Sequence, residues 1–287
     1  MYEIALSVLS CLRAGTEVHV AWTISSSQAD PPEAVAVTPG GGRMGDLMGG
    51  ALDHLITDAV RDLDHGGRLH EVSLGPAEAL ISGQPEGTTL TLALITGDAV
   101  PVEIWEDLAA RRPTRFALGV AGTRLGGAER LEPDAPSIEL TADRLVMSLS
   151  PVTRVVISGD GPLATALANA FTFIGWQPSV LPDVVAAAGL MATLSPIDTI
   201  VVMGHDVEMA GRALQAAIES GAGYIASVGS PRMQELRRQW IAYRGVDWDP
   251  RVRGPAGFDI GASSPEEIAI SIVAEAIAAR DSGSKRR

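Results

Sequence analysis

The sequence predicts an α/β protein, with an N-terminal mixed α/β domain followed by a C-terminal doubly wound parallel-sheet domain. Three observations predict it. From Thr153 onward, short β-branched runs alternate with helical stretches, the pattern of a parallel sheet covered on both faces. Ahead of that point, strand-like runs outnumber helices. And "VVISGDGPLATALANAFTFIGW" (155–176) carries an apolar run through Gly159-Asp160-Gly161 directly into helical periodicity, the opening expected of a Rossmann-like unit.

The elements follow in order. "MYEIALSVLSCLRAG" reads as an amphipathic helix ended by Gly15, with Cys11 as a small buried hydrophobe. "EVHVAWTI" (17–24) and "AVAVT" (34–38) read as strands on either side of the turn-rich "SSSQADPPE". Leu52, Leu55, Ile56, Ala59, Val60 and Leu63 recur at helical spacing, so one face of 51–64 packs on a sheet. "RLHEVSL", "TTLTLALI" and "RFALGVA" supply further strands, with "PVEIWEDLAARR" a helix between the last two. The stretch 132–152 carries three prolines and little periodicity, and reads as the join between a domain at 1–140 and one at 151–281. In the second domain "RVVIS", "TIVVMG" and "GYIASVG" are strands, each leading to a helix. "PEEIAISIVAEAIAAR" closes it, with Ser264 as N-cap and Pro265 at the first helical position. Residues 282–287 read as a tail.

Bulk composition narrows the function. A chain of 287 residues, 46% hydrophobic and 20% charged, can bury a core in each of two domains. A net charge of −13 argues against a broad nucleic-acid or anionic-membrane surface, which needs clustered positive charge. A single cysteine excludes an intramolecular disulfide and suits a reducing, cytoplasmic setting. No stretch approaches the ~20 apolar residues of a membrane span, and Glu3 stands where a signal peptide would be basic.

Chemistry points to strand ends. In an open parallel sheet, ligands lie beyond the carboxyl ends of the strands. That places Gly159 and Gly161, His205 and Asp206, and Gly229 and Ser230 on one crevice. Gly159, Gly161 and Ala164 have the spacing of a dinucleotide fingerprint. Against NAD(P), Pro162 lacks an N–H, Asp160 brings a carboxylate, and Asp183 lies late for the acidic residue that binds a ribose. Asp206 also reads as a helix N-cap, whereas His205 can bond a ligand or move a proton. The loop "RGPAGFDIGASSPEEI" offers Gly254, Gly257 and Asp259, with Arg251 or Arg253 near enough to pair with an anion. His19, His54, His65 and His70 have no metal-ligand spacing. No G-x-S-x-G elbow, H-E-x-x-H or Walker lysine is present, so no catalytic residue is assigned.

These motifs together resemble the XdhC/CoxI family. The resemblance rests on Pro151 to Gly161, on Val201 to Asp206, on Gly229 and Ser230, and on "GPAGFDIGASSPEEIAISIVAEAIAAR"; a weaker match covers "SSS" (25–27) and "GDLMGGALDH" (45–54). It implies an accessory factor for molybdenum hydroxylases such as xanthine dehydrogenase and carbon monoxide dehydrogenase. Such a factor binds molybdenum cofactor, protects it while a cysteine desulfurase or sulfurtransferase acts, and delivers it to the apoenzyme. The resemblance also implies that Gly49 and Gly50 form a wall facing the Rossmann glycines, and that the crevice lies between the domains. Two positions depart from the pattern: Ala51 stands where the family usually has cysteine, and Pro162 where it usually has histidine. Other readings are an NAD(P)-dependent oxidoreductase and a non-catalytic dimeric scaffold that recruits maturation partners. A homodimer is the expected assembly.

Overall fold

The computed structural model describes residues 1–24, 32–61, 63 and 65–284. The turn-rich stretch and the "SSS" match expected at 25–31 lie outside the described residues. The chain divides into two compact units, Met1–Pro151 and Val152–Arg287.

The first unit begins with α1 (Tyr2–Arg13), then β1 (His19–Ile24), β2 (Ala34–Val37), β3 (Arg43–Met44), α2 (Asp53–Arg61), β4 (Gly67–Ser73) and α3 (Pro76–Ser82). It continues with β5 (Thr89–Thr96), α4 (Val102–Ala109), β6 (Thr114–Ala121), β7 (Arg124–Leu131), β8 (Ser137–Leu140) and β9 (Arg144–Leu149). Among the described residues the strands form one sheet in the order β3-β2-β1-β5-β4-β7-β6-β9-β8, antiparallel at every pairing. Alternation along the strands divides the core. Val20 and Trp22 of β1, with Ala93 and Ile95 of β5, pack under α1 and α4. Ala21, Leu92 and Leu94 face the opposite side, against Leu52, Ile56 and Val60 on and beside α2.

The expected helices and strands appear here, with one correction. The stretch 132–152 is not a connector: β8 and β9 lie within it, and β9 pairs with β6 over Thr114↔Leu149 to Gly119↔Arg144. The first unit accordingly runs to Pro151. The helix expected from residue 51 starts at Asp53, because a 3₁₀ turn, Met48–Gly50, precedes it.

The second unit alternates strand and helix throughout: β10 (Arg154–Ser158), α5 (Pro162–Phe173), β11 (Gln177–Leu181), α6 (Val184–Met191), β12 (Thr199–Val202), α7 (Val207–Glu219), β13 (Tyr224–Ser227), α8 (Pro231–Tyr243), β14 (Val252–Arg253) and α9 (Pro265–Ser284). The strands are all parallel, in the order β11-β10-β12-β13-β14. Val155 and Ile157 face α5 and α9. Val156, Ile200 and Val202 face α6, α7 and α8. The sheet is therefore covered on both faces, as the near-continuous apolar strands require. α9 runs to Ser284, into the stretch expected as a tail. No helix among the described residues is long and apolar enough to cross a membrane.

Candidate functional site

The strand order sets where a ligand can sit. The second unit's first strand, β10, lies between its second and third, β11 and β12, so the connections leave β10 and β12 in opposite directions. That reversal is the switch point of a doubly wound sheet, and a crevice opens there beyond the carboxyl ends of the strands. Gly159 follows β10 and Gly204 follows β12. The two loops touch, because a Cβ on Gly159 would lie 2.9 Å from the Cβ of Met203.

The backbone at this edge is shaped for close approach. Gly161 is the N-cap of α5, with φ 91°, and a Cβ there would meet nothing within 4 Å. Gly204, with φ 117°, is equally open. Left-handed backbone of this kind favours glycine. Pro162 starts α5 and Ala164 is buried against the sheet, the small contact that close helix-strand packing requires. Because Gly161 has no side chain, nothing caps α5. The other four helices that begin at this edge are capped by Asp183, Asp206, Ser230 and Ser264.

The remaining expected site residues fall into separate groups. His205 is exposed on the crevice lip. Asp206 is the N-cap of α7, its carboxylate accepting from the amides of Glu208 at 2.8 Å and Met209 at 2.9 Å. Ser230 caps α8 through the Met233 amide. Gly229 is glycine for packing: a Cβ would press on Met233 at 3.2 Å. Gly254 lies against the Gln234 side chain, which occupies the space a Cβ would need. Gly257 abuts Ser271 and donates its amide to Glu275 Oε2 at 2.7 Å, an oxygen that also accepts from Tyr224 Oη at 2.7 Å. Burial and that carboxylate raise the Tyr224 phenol above its ordinary range. Asp259 is exposed.

The loop at 254–264 therefore spends half of its backbone donors internally. Ala256, Gly257, Phe258, Ser263 and Ser264 all bond protein oxygens through their amides. Arg251 is likewise committed. It donates to Asp249 and to the carbonyls of Ile218, Ser220 and Ala222, closing the C-terminal end of α7, so the expectation that it pairs with an external anion is corrected.

Gly49 and Gly50 lie in the first unit. With Met48 they form three successive left-handed residues, at φ 55°, 66° and 84°. Glu33 holds this turn by accepting the Met48 amide at 2.9 Å. Ala51, directly after it, is 2% exposed. The first unit also has a cavity of about 410 Å³ beside the end of α1, lined in part by Glu17, His65 and Asp98; no expected site residue lines it. Among the described residues no group of three histidine, cysteine or acidic side chains could hold a metal ion.

One residue of the crevice escapes sequence reasoning. Arg237 on α8 is fully buried. Its Nη1 donates to Ser227 Oγ and the Val228 carbonyl, both at 2.7 Å, and its Nη2 to the Gly204 carbonyl at 2.7 Å. Gln234, one turn earlier, donates to the carbonyls of Ser227 and Gly229. Together they lock the loops after β12 and β13. The available signal was a broken pattern: Gln234, Arg237 and Ile241 share the buried stripe of α8, and two of the three are polar.

An open switch-point crevice beside an uncapped helix defines a doubly wound domain of the Rossmann class. Residues 155–276 match the family model described as the XdhC Rossmann domain. A curated protein of Bacillus subtilis (strain 168), described as a probable xanthine dehydrogenase subunit, is 28% identical, the match covering 50% of this chain and 48% of the relative. This chain thus matches about half the length of that relative. A solved structure described as a xanthine dehydrogenase from Bacillus halodurans aligns with 99% of this chain and 96% of its own, at 20% identity and a TM-score of 0.45.

Proposed function

We propose that this protein is an accessory factor in the maturation of a molybdenum hydroxylase of the xanthine dehydrogenase or carbon monoxide dehydrogenase type, and that molybdenum cofactor is its cargo. The observation that carries the reading is the switch-point crevice of an XdhC Rossmann domain, with Gly161 and Gly204 open and α5 uncapped. The cofactor bears a phosphate, and the N-terminus of a 12-residue helix suits an anion. The residues fit that end of the cargo. They do not supply a thiolate for the metal end at residue 51, where a buried Ala51 stands, and Cys11 belongs to α1. In this chain the protein's part is to bind and orient through backbone amides and to exclude water at the sheet edge.

The partners under this reading are the apoenzyme, a sulfurtransferase or cysteine desulfurase, and a second copy of the chain. Support for the homodimer is the face formed by α5 and α9. α5 carries no charged side chain, Phe173 and Ile270 are exposed there, and a groove of about 520 Å³ runs between the helices. The other candidate ligand, NAD(P), is disfavoured because Asp183, after β11, spends its carboxylate on the Ala186 amide at 2.7 Å.

The test mixes purified protein with molybdenum cofactor and measures retention by ultrafiltration, beside hydroxylase activity in a deletion strain. Retention and lost hydroxylase activity are expected. No retention together with normal activity overturns the proposal.

A further inference from the structure

We propose that the exposed face of α8 is a docking surface for a short acidic segment of a partner protein, one that carries apolar side chains between its carboxylates. This rests on the surface chemistry of α8, and not on the crevice or the identity of the cargo.

The fold leaves one ridge of α8 uncovered. Gln234, Arg237 and Ile241 fill the buried stripe, so Arg232, Leu236, Gln239 and Tyr243, recurring at intervals of four, three and four, lie together on the opposite side. Tyr243 is 89% exposed and Leu236 39%. Arg238 and Arg244 are exposed on the flanks. Each of these two guanidiniums stacks on an indole, Arg238 over Trp248 at 4.6 Å and Arg244 over Trp240 at 4.7 Å. Stacking orders the planar group while its N–H edge stays free for a carboxylate.

Among the described residues the ion pairs of the second unit are Arg154–Asp198, Arg212–Glu208 and Arg251–Asp249, so Arg232, Arg238 and Arg244 have no carboxylate. Glu235, the single acidic residue of α8, accepts from Gln239 at 2.9 Å instead. A helix that only meets water interleaves opposite charges, as Glu208 and Arg212 do on the neighbouring α7. The first unit holds 10 basic residues against 21 acidic ones and the second 12 against 14, so most of the chain's negative charge belongs to the first unit and α8 keeps a positive field of its own. Charge complementarity therefore selects an acidic occupant, and the exposed Leu236 and Tyr243 select one with apolar side chains. The 13 residues of α8 span about 20 Å, a face too small for the roughly 800 Å² that each folded partner buries in a standard interface, and suited to a linear segment.

The experiment titrates a fluorescein-labelled glutamate peptide, with leucine at every fourth position, with the full chain at low salt and reads its anisotropy. Binding that weakens as salt is raised is expected, and none by the same peptide with lysine in place of glutamate. An all-glutamate peptide is expected to bind more weakly, through the lost contacts to Leu236 and Tyr243. Arg232→Glu and Arg238→Glu are each expected to weaken binding about tenfold, and Tyr243→Ala about fivefold. All three positions are exposed, so the melting temperature is expected to stay at the wild-type value. Arg124→Glu, at an exposed position on β7, makes the same change in net charge and is expected to leave the affinity unchanged. No binding, equal affinity in wild type and the α8 variants, an equal loss with Arg124→Glu, or tighter binding of a labelled oligothymidylate of the same length overturns the inference. Each of those results leaves the proposed cargo standing, since the crevice takes no part in the measurement.

Discussion

His19 shows how one side chain couples burial to pH. It opens β1 on the α2 side of the sheet, opposite Thr96, and is 6% exposed. Burial lowers its imidazole below the ordinary value, while Glu17 and Asp98 pull less strongly in the other direction. His70 is lowered too, by burial and by Arg68. The folded state then binds fewer protons than the unfolded chain just below the unperturbed histidine value of about 6.5. Stability is therefore complete above that pH and falls as the solution is acidified through it. Urea titrations between pH 7.5 and 5.5 are expected to show this loss, and a His19→Gln variant to show a shallower one. An unchanged slope in the variant would remove His19 from the account. Residue roles of this sort were partly legible. Asp206 precedes a helix and caps it, as its sequence position implies. Arg237 was not legible, because a polar residue on a buried stripe declares its role only when its partners from other strands are known.

Elements are joined by buried polar groups as much as by packing. Asp198, at the start of β12, is buried and accepts from the Arg154 amide of β10 at 2.8 Å, from the Ser195 amide at 2.8 Å and from the Ser195 hydroxyl at 2.9 Å. It ties the two central strands at the end opposite the crevice. Asp198→Asn would turn an amide group toward backbone donors, and is expected to cost about 2–4 kcal/mol in chemical denaturation, against near neutrality for an exposed Asp143→Asn control. The start of α9 was legible in detail. Ser264 accepts the Glu267 amide at 3.2 Å, and Glu267 returns to the amides of Ser263 and Ser264 at 2.8 and 3.0 Å, a reciprocal cap. Those amides, with the Ser263 hydroxyl, hold the Glu267 carboxyl below its usual range. β8 and β9 were not legible. They lie at the end of the sheet amid prolines, where alternation is weak, and the pairing of β9 with β6 and of β8 with β9, rather than local propensity, makes them strands.

At the scale of the whole molecule, each unit buries apolar side chains on both faces of its own sheet. Residues 152–287 expressed alone are therefore expected to unfold cooperatively and, under the homodimer proposal, to run as a dimer in light scattering. Phe173, 89% exposed on α5, is the natural contact, and Phe173→Glu is expected to give a monomer of unchanged melting temperature. A monomeric wild-type fragment would place self-association elsewhere or exclude it. What the sequence by itself determined is the periodic part: alternating strands and helices after Thr153, the glycine turn at 159–161, the caps of α7 and α9, and the family resemblance. Those features depend on neighbours along the chain. Only the tertiary structure decided that 137–149 belongs to the first sheet, that the glycines at 254 and 257 serve internal packing, and that an unpaired guanidinium lies under the loop after β12. Each of these depends on groups distant in sequence that meet only when the strands are in register.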